Sequence, residues 1–473
     1  MHILIPVYFN ADMGGLHLNV FSTALYLKNN NHEVTVLCKN GVFSKKLIEN
    51  DIRVIETDFD ITSYKETLLK IVRLHNDNPI DIIHTHPFKA RKISLAISRL
   101  LNRPLFLTIH GRYTDDLPLY LDKVSMVFTV SEGIKDYIFD KTKTKDKYKF
   151  AVIPNGVDVK LFEPPLRKYQ NNNQEEKSNG EEVKIAFVSR LDKDKQFIID
   201  VFYRALEFTY NKYGTNVKWK IVGDGTEKDT MKDKISSLIS DENYVDFVGW
   251  KNDIQLYQEY SESNIVIAPG RSALEGLSCG KPVIAIGSKG YVGLINHDNW
   301  LKGVYSNFGG IGDKIKSYDE GSIEKDLETI LDNKPLRLEL SELGINLIQQ
   351  YYNEDTINKR LMSFYTIFKL SNNKIDKINS SRVMELIECQ VSDIKIEKLS
   401  DSEFAANINC YESNINPEFA WYIYHNDKLI EKFMYSNSNS ITYTIKESGS
   451  YQVQAFIKNG NDKFSFLFDR ITF

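Results

Sequence analysis

A chain of 473 residues is too long for one hydrophobic core and points to about three domains. Hydrophobic residues make up 42% and charged residues 26%, as in an ordinary globular protein, and 60 Lys and Arg against 64 Asp and Glu leave a formal charge of −4. That balance argues against nucleic acid as a partner, no run approaches the roughly 20 apolar residues of a membrane span, and no early segment reads as a secretory signal.

Met1–Val7 is a short apolar run that ends in a loop, after which Gly14-Gly15 opens a helical pattern through Leu16, Val20, Ala24 and Leu27. His32–Leu37 predicts the next strand, and Arg53–Ile55, Ile80–His84, Leu105–Ile109, Met126–Val130 and Phe150–Ile153 predict further ones. Helical patterns such as Tyr64–His75 and Lys89–Leu101 separate them, the alternation of parallel βαβ units. Glu163–Glu182 has almost no apolar residues and reads as a linker or long surface loop. Strands then resume at Lys184–Ser189, Lys218–Val222, Val245–Val248, Ile265–Ala268 and Pro282–Ile286. Two α/β halves joined in this way place a cleft where the carboxyl ends of both sheets meet.

From Ser380 the pattern becomes all-β, with strands expected at Val391–Ile396, Phe404–Cys410, Ala420–His425, Lys428–Tyr435, Ile441–Ile445, Tyr451–Lys458 and Lys463–Phe473. Asn426-Asp427 and Lys458–Asn461 read as hairpin turns. The stretch Gly449–Ala455 resembles the tyrosine corner of immunoglobulin-like domains, with Trp421 as the inner tryptophan and Ile408 and Val453 where antibody domains carry a disulfide. Ile423, Phe433 and Phe456 are expected to alternate onto a second apolar face suited to self-association.

Three strand–loop–helix junctions carry chemistry suited to phosphate. Gly14-Gly15 lets backbone approach an anion at a helix start, although an isolated Gly-Gly is ordinarily only a turn and is not the dinucleotide GxGxxG fingerprint. Arg190 and Lys195 follow a strand and could both face a diphosphate, with charge-assisted hydrogen bonds of roughly 1.5–3 kcal/mol each. Pro269–Gly276 offers helix N–H groups, and Glu275 one turn in could accept bonds from two ribose hydroxyls. Taken singly, the cations read as a solvated turn and Glu275 as a helix-dipole residue. Together the junctions make coincidence a poor explanation.

His84-Thr85-His86 lacks a third metal ligand and reads as a structural pair at a cleft edge, and Asp58-Phe59-Asp60 is a short acidic loop; no metal is expected at either. Cys38, Cys279, Cys389 and Cys410 are scattered and fit buried thiols in a reducing, cytoplasmic setting. Within Pro87–Arg103, Lys89, Arg91, Lys92, Arg99 and Arg103 alternate with Ile93, Leu95, Ile97 and Leu100, a pattern that fits equally a basic amphipathic helix resting on an anionic membrane surface and a core-packed helix with a solvated face.

The order Gly14-Gly15, His32-Glu33-Val34, His110-Gly111, Val130-Ser131, Ile153–Asp158, Ser189–Lys195, Ile221–Gly225 and Leu274-Glu275 closely resembles the retaining family-4 glycosyltransferases of GT-B fold, from the first residue to about Phe368. The resemblance implies two Rossmann-like domains facing across a cleft: an acceptor-side domain over 1–165, a nucleotide-sugar domain over 183–350 and a helix over 351–370 crossing back to the first, followed by the β-sandwich over 380–473. It implies that Arg190 and Lys195 hold the donor diphosphate, that Gly14 and Gly15 cover it, that Glu275 holds the ribose, that backbone near Val248 and Gly249 faces the base, and that His110 borders the transferred sugar. The family's second Glu, eight residues before the ribose-binding one, is here Ile267, and the loop is shortened to Pro269-Gly270-Arg271-Ser272, so Gly270, Arg271, Ser272 and Leu274 are expected to line the donor site in its place. A UDP-sugar donor and a glycan, lipid-linked or protein acceptor follow as expectations, with surface-glycan synthesis as the setting. An epimerase of the same architecture and a non-catalytic glycan- or nucleotide-sugar-binding protein remain open alternatives.

Overall fold

The computed structural model describes residues 1–8, 14–165, 182–288, 290–309, 318–371, 391–410, 417–459, 462–468 and 470–473. Most of the expected linker and the segment 372–380 lie outside these residues, as do 460–461 of one expected turn.

The first α/β half runs β1 (His2–Pro6), α1 (Gly15–Asn29), β2 (Glu33–Cys38), α2 (Val42–Glu49), β3 (Arg53–Glu56), α3 (Ile61–Asp77), β4 (Ile82–Thr85), α4 (Lys89–Leu101), β5 (Leu105–Ile109), β6 (Met126–Thr129), α5 (Glu132–Thr142) and β7 (Phe150–Val152). Its seven strands lie in the order β3-β2-β1-β4-β5-β6-β7, parallel from β2 through β7. Continuous apolar runs such as Leu105–Ile109 are buried throughout, as expected of strands covered by helices on both faces.

The second half runs β8 (Val183–Val188), α6 (Gln196–Tyr213), β9 (Val217–Val222), α7 (Lys228–Leu238), β10 (Val245–Gly249), α8 (Asp253–Glu262), β11 (Ile265–Ala268), α9 (Gly270–Ser278), β12 (Val283–Gly287), β13 (Gly290–Leu294), α10 (Trp300–Tyr305), α11 (Ser322–Leu331) and α12 (Lys334–Tyr351). Its sheet order is β10-β9-β8-β11-β12-β13. The edge strand β13 pairs antiparallel to β12, an addition the sequence reading did not anticipate.

In each sheet the strand order reverses once, between β1 and β4 and between β8 and β11. Open α/β sheets bind ligands beyond the carboxyl ends of the strands at such points. The loops after β1, β4, β8 and β11 carry Gly14-Gly15, His86, Arg190 and the Pro269–Glu275 junction respectively.

Helix α13 (Glu354–Ser371) returns to the first half: Ile357, Leu361 and Tyr365 share its core with Ile3, Val36, Phe106 and Phe128. The halves also meet at Lys46–Asp253 (3.0 Å) and at the Tyr305 hydroxyl, which donates to Asp136 (2.9 Å).

Taken by itself, the C-terminal segment forms β14 (Val391–Ser400), β15 (Glu403–Cys410), β16 (Glu418–His425), β17 (Lys428–Ser436), β18 (Ser440–Thr444), β19 (Ser450–Asn459), β20 (Asp462–Leu467) and β21 (Ile471–Thr472). One sheet is β14-β15-β18 and the other β17-β16-β19-β20, with β21 on β19. Phe404 and Ile408 from the first meet Trp421, Ile423 and Val453 from the second in one core. The Tyr451 hydroxyl donates to the Glu447 carbonyl (2.7 Å), closing the expected tyrosine corner. Asn426 and Asp427 both have positive φ, 47° and 67°, as a two-residue hairpin turn of type I′ requires. The expected second apolar face is corrected in part: Ile423 and Phe433 point into the core, whereas Phe456 does lie on the outer face, with Tyr422 and Tyr424 beside it.

Candidate active site

The loop after β8 is built by backbone. Ser189 donates to the Val222 carbonyl (3.1 Å) and Leu191 to that of Asp224 (2.9 Å), so the loop lies flat on the turn after β9. A Cβ on Gly223 would come 1.9 Å from the Ser189 oxygen and one on Gly225 2.4 Å from that of Leu191, which explains both glycines of the Gly-Asp-Gly stretch. This support holds Arg190 and Lys195 in place. Arg190 pairs with Asp192 (2.6 Å) and Asp194 (3.1 Å). Lys195 reaches the same Asp194 oxygen (3.2 Å) and donates to Ser288 Oγ (2.8 Å). The two predicted cations therefore converge on one carboxylate oxygen, an arrangement suited to grip a phosphate oxygen.

The loop after β11 enters α9 through Gly270, which has φ +48°. Its amide is not open to a ligand, because it donates to the Phe308 carbonyl (2.8 Å). Leu274 is wholly buried in the core and offers the site no side chain. Glu275 is 3% exposed; Arg271 Nε donates to one of its oxygens (2.8 Å) and the Tyr260 hydroxyl approaches the other (3.3 Å). Burial pushes its carboxyl above the usual range, while Arg271 and Tyr260 pull it back. Each Glu275 oxygen keeps a second lone pair for a hydroxyl donor. Arg271, expected to line the donor site, anchors Glu275, and its buried Nη1 has no hydrogen-bond partner among the described residues. Val248 packs against the core and Gly249 ends β10 with φ +75°, its carbonyl accepting from Gly223 (2.9 Å).

Gly14 caps α1 in extended conformation, and a Cβ on Gly14 or Gly15 would meet nothing within 4 Å. Among the described residues, neither crowding nor backbone strain demands glycine there.

His110 follows β5 and joins a stack that sequence reasoning treated as separate. His86 Nδ1 lies 2.9 Å from His110 Nε2, with ring centroids 5.0 Å apart, and His84 stacks on His86 at 5.2 Å. His84 is held by Thr108 Oγ1 (2.6 Å) and by the Tyr365 hydroxyl from α13. Burial pushes His110 down to about 4 and His84 to about 3, and His86 well below its ordinary value. Part of the signal was available: His84 lies on β4 and His86 directly follows it, two residues on, the spacing that brings side chains to one side of an extended chain. Among the described residues, no group of three or more His, Cys, Asp or Glu is placed to hold a metal ion.

Beside this stack the carboxyl edge of the first sheet is cationic and aromatic. Lys39 and Lys89 lie over the Tyr8 ring, 5.7 and 5.1 Å from its centroid. Phe88 packs on Tyr113, whose hydroxyl accepts from the His110 amide (3.1 Å). Not all of the basic residues of 87–103 are presented outward: Arg91 pairs with Asp115 (3.2 Å) and Asp116 (3.4 Å), and Arg103 is buried. No helix of the described residues is long and apolar enough to cross a membrane.

Residues 13–161 match the family described as glycosyltransferase family 4, and residues 168–346 match glycosyl transferases group 1. A phosphatidyl-myo-inositol mannosyltransferase of Propionibacterium freudenreichii is 22% identical over 395 residues, covering 77% of this chain and 94% of the relative. A UDP-Gal:α-D-GlcNAc-diphosphoundecaprenol α-1,3-galactosyltransferase of Escherichia coli is 23% identical, covering 66% and 83%. Among solved structures, a glycosyltransferase from Rickettsia africae superimposes with a TM-score of 0.61 at 20% identity, over 79% of this chain and 99% of its own. Anabaena HepE in complex with UDP gives 0.58 at 19% identity, over 77% and 100%.

Proposed function

The chain belongs to the family-4 glycosyltransferases of GT-B fold, and from that premise we propose that it moves a hexose from a UDP-sugar to a phosphate-bearing, lipid-linked acceptor in surface-glycan synthesis, with retention at the anomeric carbon. The observation that carries the reading is the convergence of Arg190 and Lys195 on one anionic oxygen at the switch point of the second sheet. As the bond from the sugar to the diphosphate breaks, charge builds on the leaving oxygen, and cations fixed there stabilise the transition state more than the ground state. Glu275 would accept from the ribose hydroxyls, Gly14-Gly15 would let backbone close over the phosphates, and the segment Val248-Gly249 would border the base. With two fixed cations on the diphosphate, the proposed reaction needs no divalent metal.

UDP as the nucleotide is supported by the UDP-Gal donor in one relative's name and by UDP in the HepE structure. A phosphate-bearing lipid acceptor is supported by the acceptors named for the two relatives and by the Lys39–Tyr8–Lys89 cluster at the carboxyl edge of the same sheet as His110. The test is a panel of nucleotide sugars screened by thermal shift, since a true donor stabilises by mass action, followed by NMR of the product formed with the hit. Inversion at the anomeric carbon, or activity abolished by EDTA and restored by Mn²⁺, would refute the mechanism.

A further inference from the structure

We propose that His86 and Asn155 act as positioning residues that hold His110 as a neutral ring, protonated on Nδ1 and fixed in one orientation. The proposal rests on the transferase reading only in taking His110 to border the transferred sugar.

Two imidazole nitrogens 2.9 Å apart, as His86 Nδ1 and His110 Nε2 are, share a hydrogen bond only when one carries a proton and the other a lone pair. Asn155 is the polar side chain that acts on the His110 ring besides its burial, and it favours a proton there. His110 Nδ1 and Asn155 Oδ1 are both buried, and among the described residues neither has a partner within hydrogen-bonding geometry. A proton on His110 Nδ1 offers Asn155 Oδ1 a donor, whereas the other tautomer sets lone pair against lone pair and leaves both buried atoms unsatisfied. His110 Nε2 is then the acceptor, and His86 Nδ1–H the donor.

Burial keeps the pair neutral, and charge on the neighbouring imidazoles, His84 stacked on His86 among them, would oppose a proton there further. The stack does not slide, because His84 is tied to Thr108 on β5 and to Tyr365 on α13. With Nε2 accepting from His86 and Nδ1 carrying its proton, His110 has no lone pair left to take a proton from an acceptor hydroxyl. It offers the sugar a ring face, a carbon edge and its main chain, so its part in transfer is one of shape.

The experiment uses the full chain carrying ¹⁵N-labelled histidine, with His110→Gln assigning the signal. Long-range ¹⁵N–¹H spectra should show His110 bare at Nε2 and protonated at Nδ1, without titration from pH 5 to 8. His86→Leu should release this tautomer and lower kcat for nucleotide-sugar hydrolysis about tenfold or more at little change in KM, as expected for a lost orientation. His86→Gln, which keeps an N–H donor, should restore most of both. An Nε2-protonated His110, or one that titrates near its ordinary value, overturns the proposal, and the unsubstituted protein alone can give that result even if a variant fails to fold. A chain that shows the locked tautomer yet hydrolyses no nucleotide sugar removes the transferase reading and leaves the clamp standing.

Discussion

Arg190 and Lys195 meet at a single atom: Nη2 of the first and Nζ of the second lie 3.1 and 3.2 Å from Oδ2 of Asp194. The carboxylate sits where two cations could hold a phosphate oxygen, so a diphosphate has to displace it. Asp194→Asn keeps the shape and removes the competing charge. Calorimetry should show UDP binding a few-fold tighter in this variant, since a competing charge-assisted contact is worth on the order of 1 kcal/mol at a half-exposed site. Weaker binding would mean that Asp194 aims the cations rather than competing for them.

Glu275 accepts from Arg271 and Tyr260 and keeps one lone pair on each oxygen for a diol. In Glu275→Gln one acceptor becomes a donor. UDP affinity should fall about tenfold, the worth of one hydrogen bond to a charged group, while 2′-deoxy-UDP, already lacking one hydroxyl, should lose less. Equal losses for the two nucleotides would make Glu275 a structural residue of α9.

The α/β alternation and the β-domain strands were legible because buried parallel strands read as apolar runs and sandwich strands alternate. β13 was missed because the reading expected a crossover helix after each strand of that sheet, whereas Gly287–Gly290 turns directly back into an antiparallel edge. The phosphate-suited junctions were also legible, at Arg190, Lys195 and Glu275. Their ground-state partners were not: Asp194 is simply a neighbour in sequence, and its contact with both cations depends on how the loop lies on Gly223 and Gly225. Arg271 and Glu275 stand one helical turn apart, a pairing the spacing could have suggested.

The imidazoles also set a pH dependence. His110 and His84 are neutral in the folded chain down to about 4 and about 3, whereas in the unfolded chain they take up protons near 6.5. Below 6.5 the unfolded state therefore binds more protons, and stability falls as pH drops toward 4, then levels as the folded rings titrate. The melting temperature should decline between pH 6.5 and 4 by more in the unsubstituted protein than in His84→Gln. Parallel declines would show that carboxylates alone govern the acid limb.

The β-domain has its own core around Trp421, and the candidate donor residues all precede it. A chain ending near Asn372 should keep nucleotide-sugar hydrolysis within about two-fold, as for the loss of a segment that carries none of the candidate donor residues. A well-folded truncated chain without hydrolysis would place the β-domain in the active site.

The central claim is that Arg190 and Lys195 stabilise a departing nucleoside diphosphate, and the most direct measurement is steady-state release of UDP from the sugar nucleotide that stabilises the protein most. Comparison of the unsubstituted protein with Lys195→Ala should show turnover lower by roughly 10²–10³, the loss expected when one preorganised charge-stabilising group is removed. A Lys195→Ala variant that releases UDP at the normal rate would contradict the account.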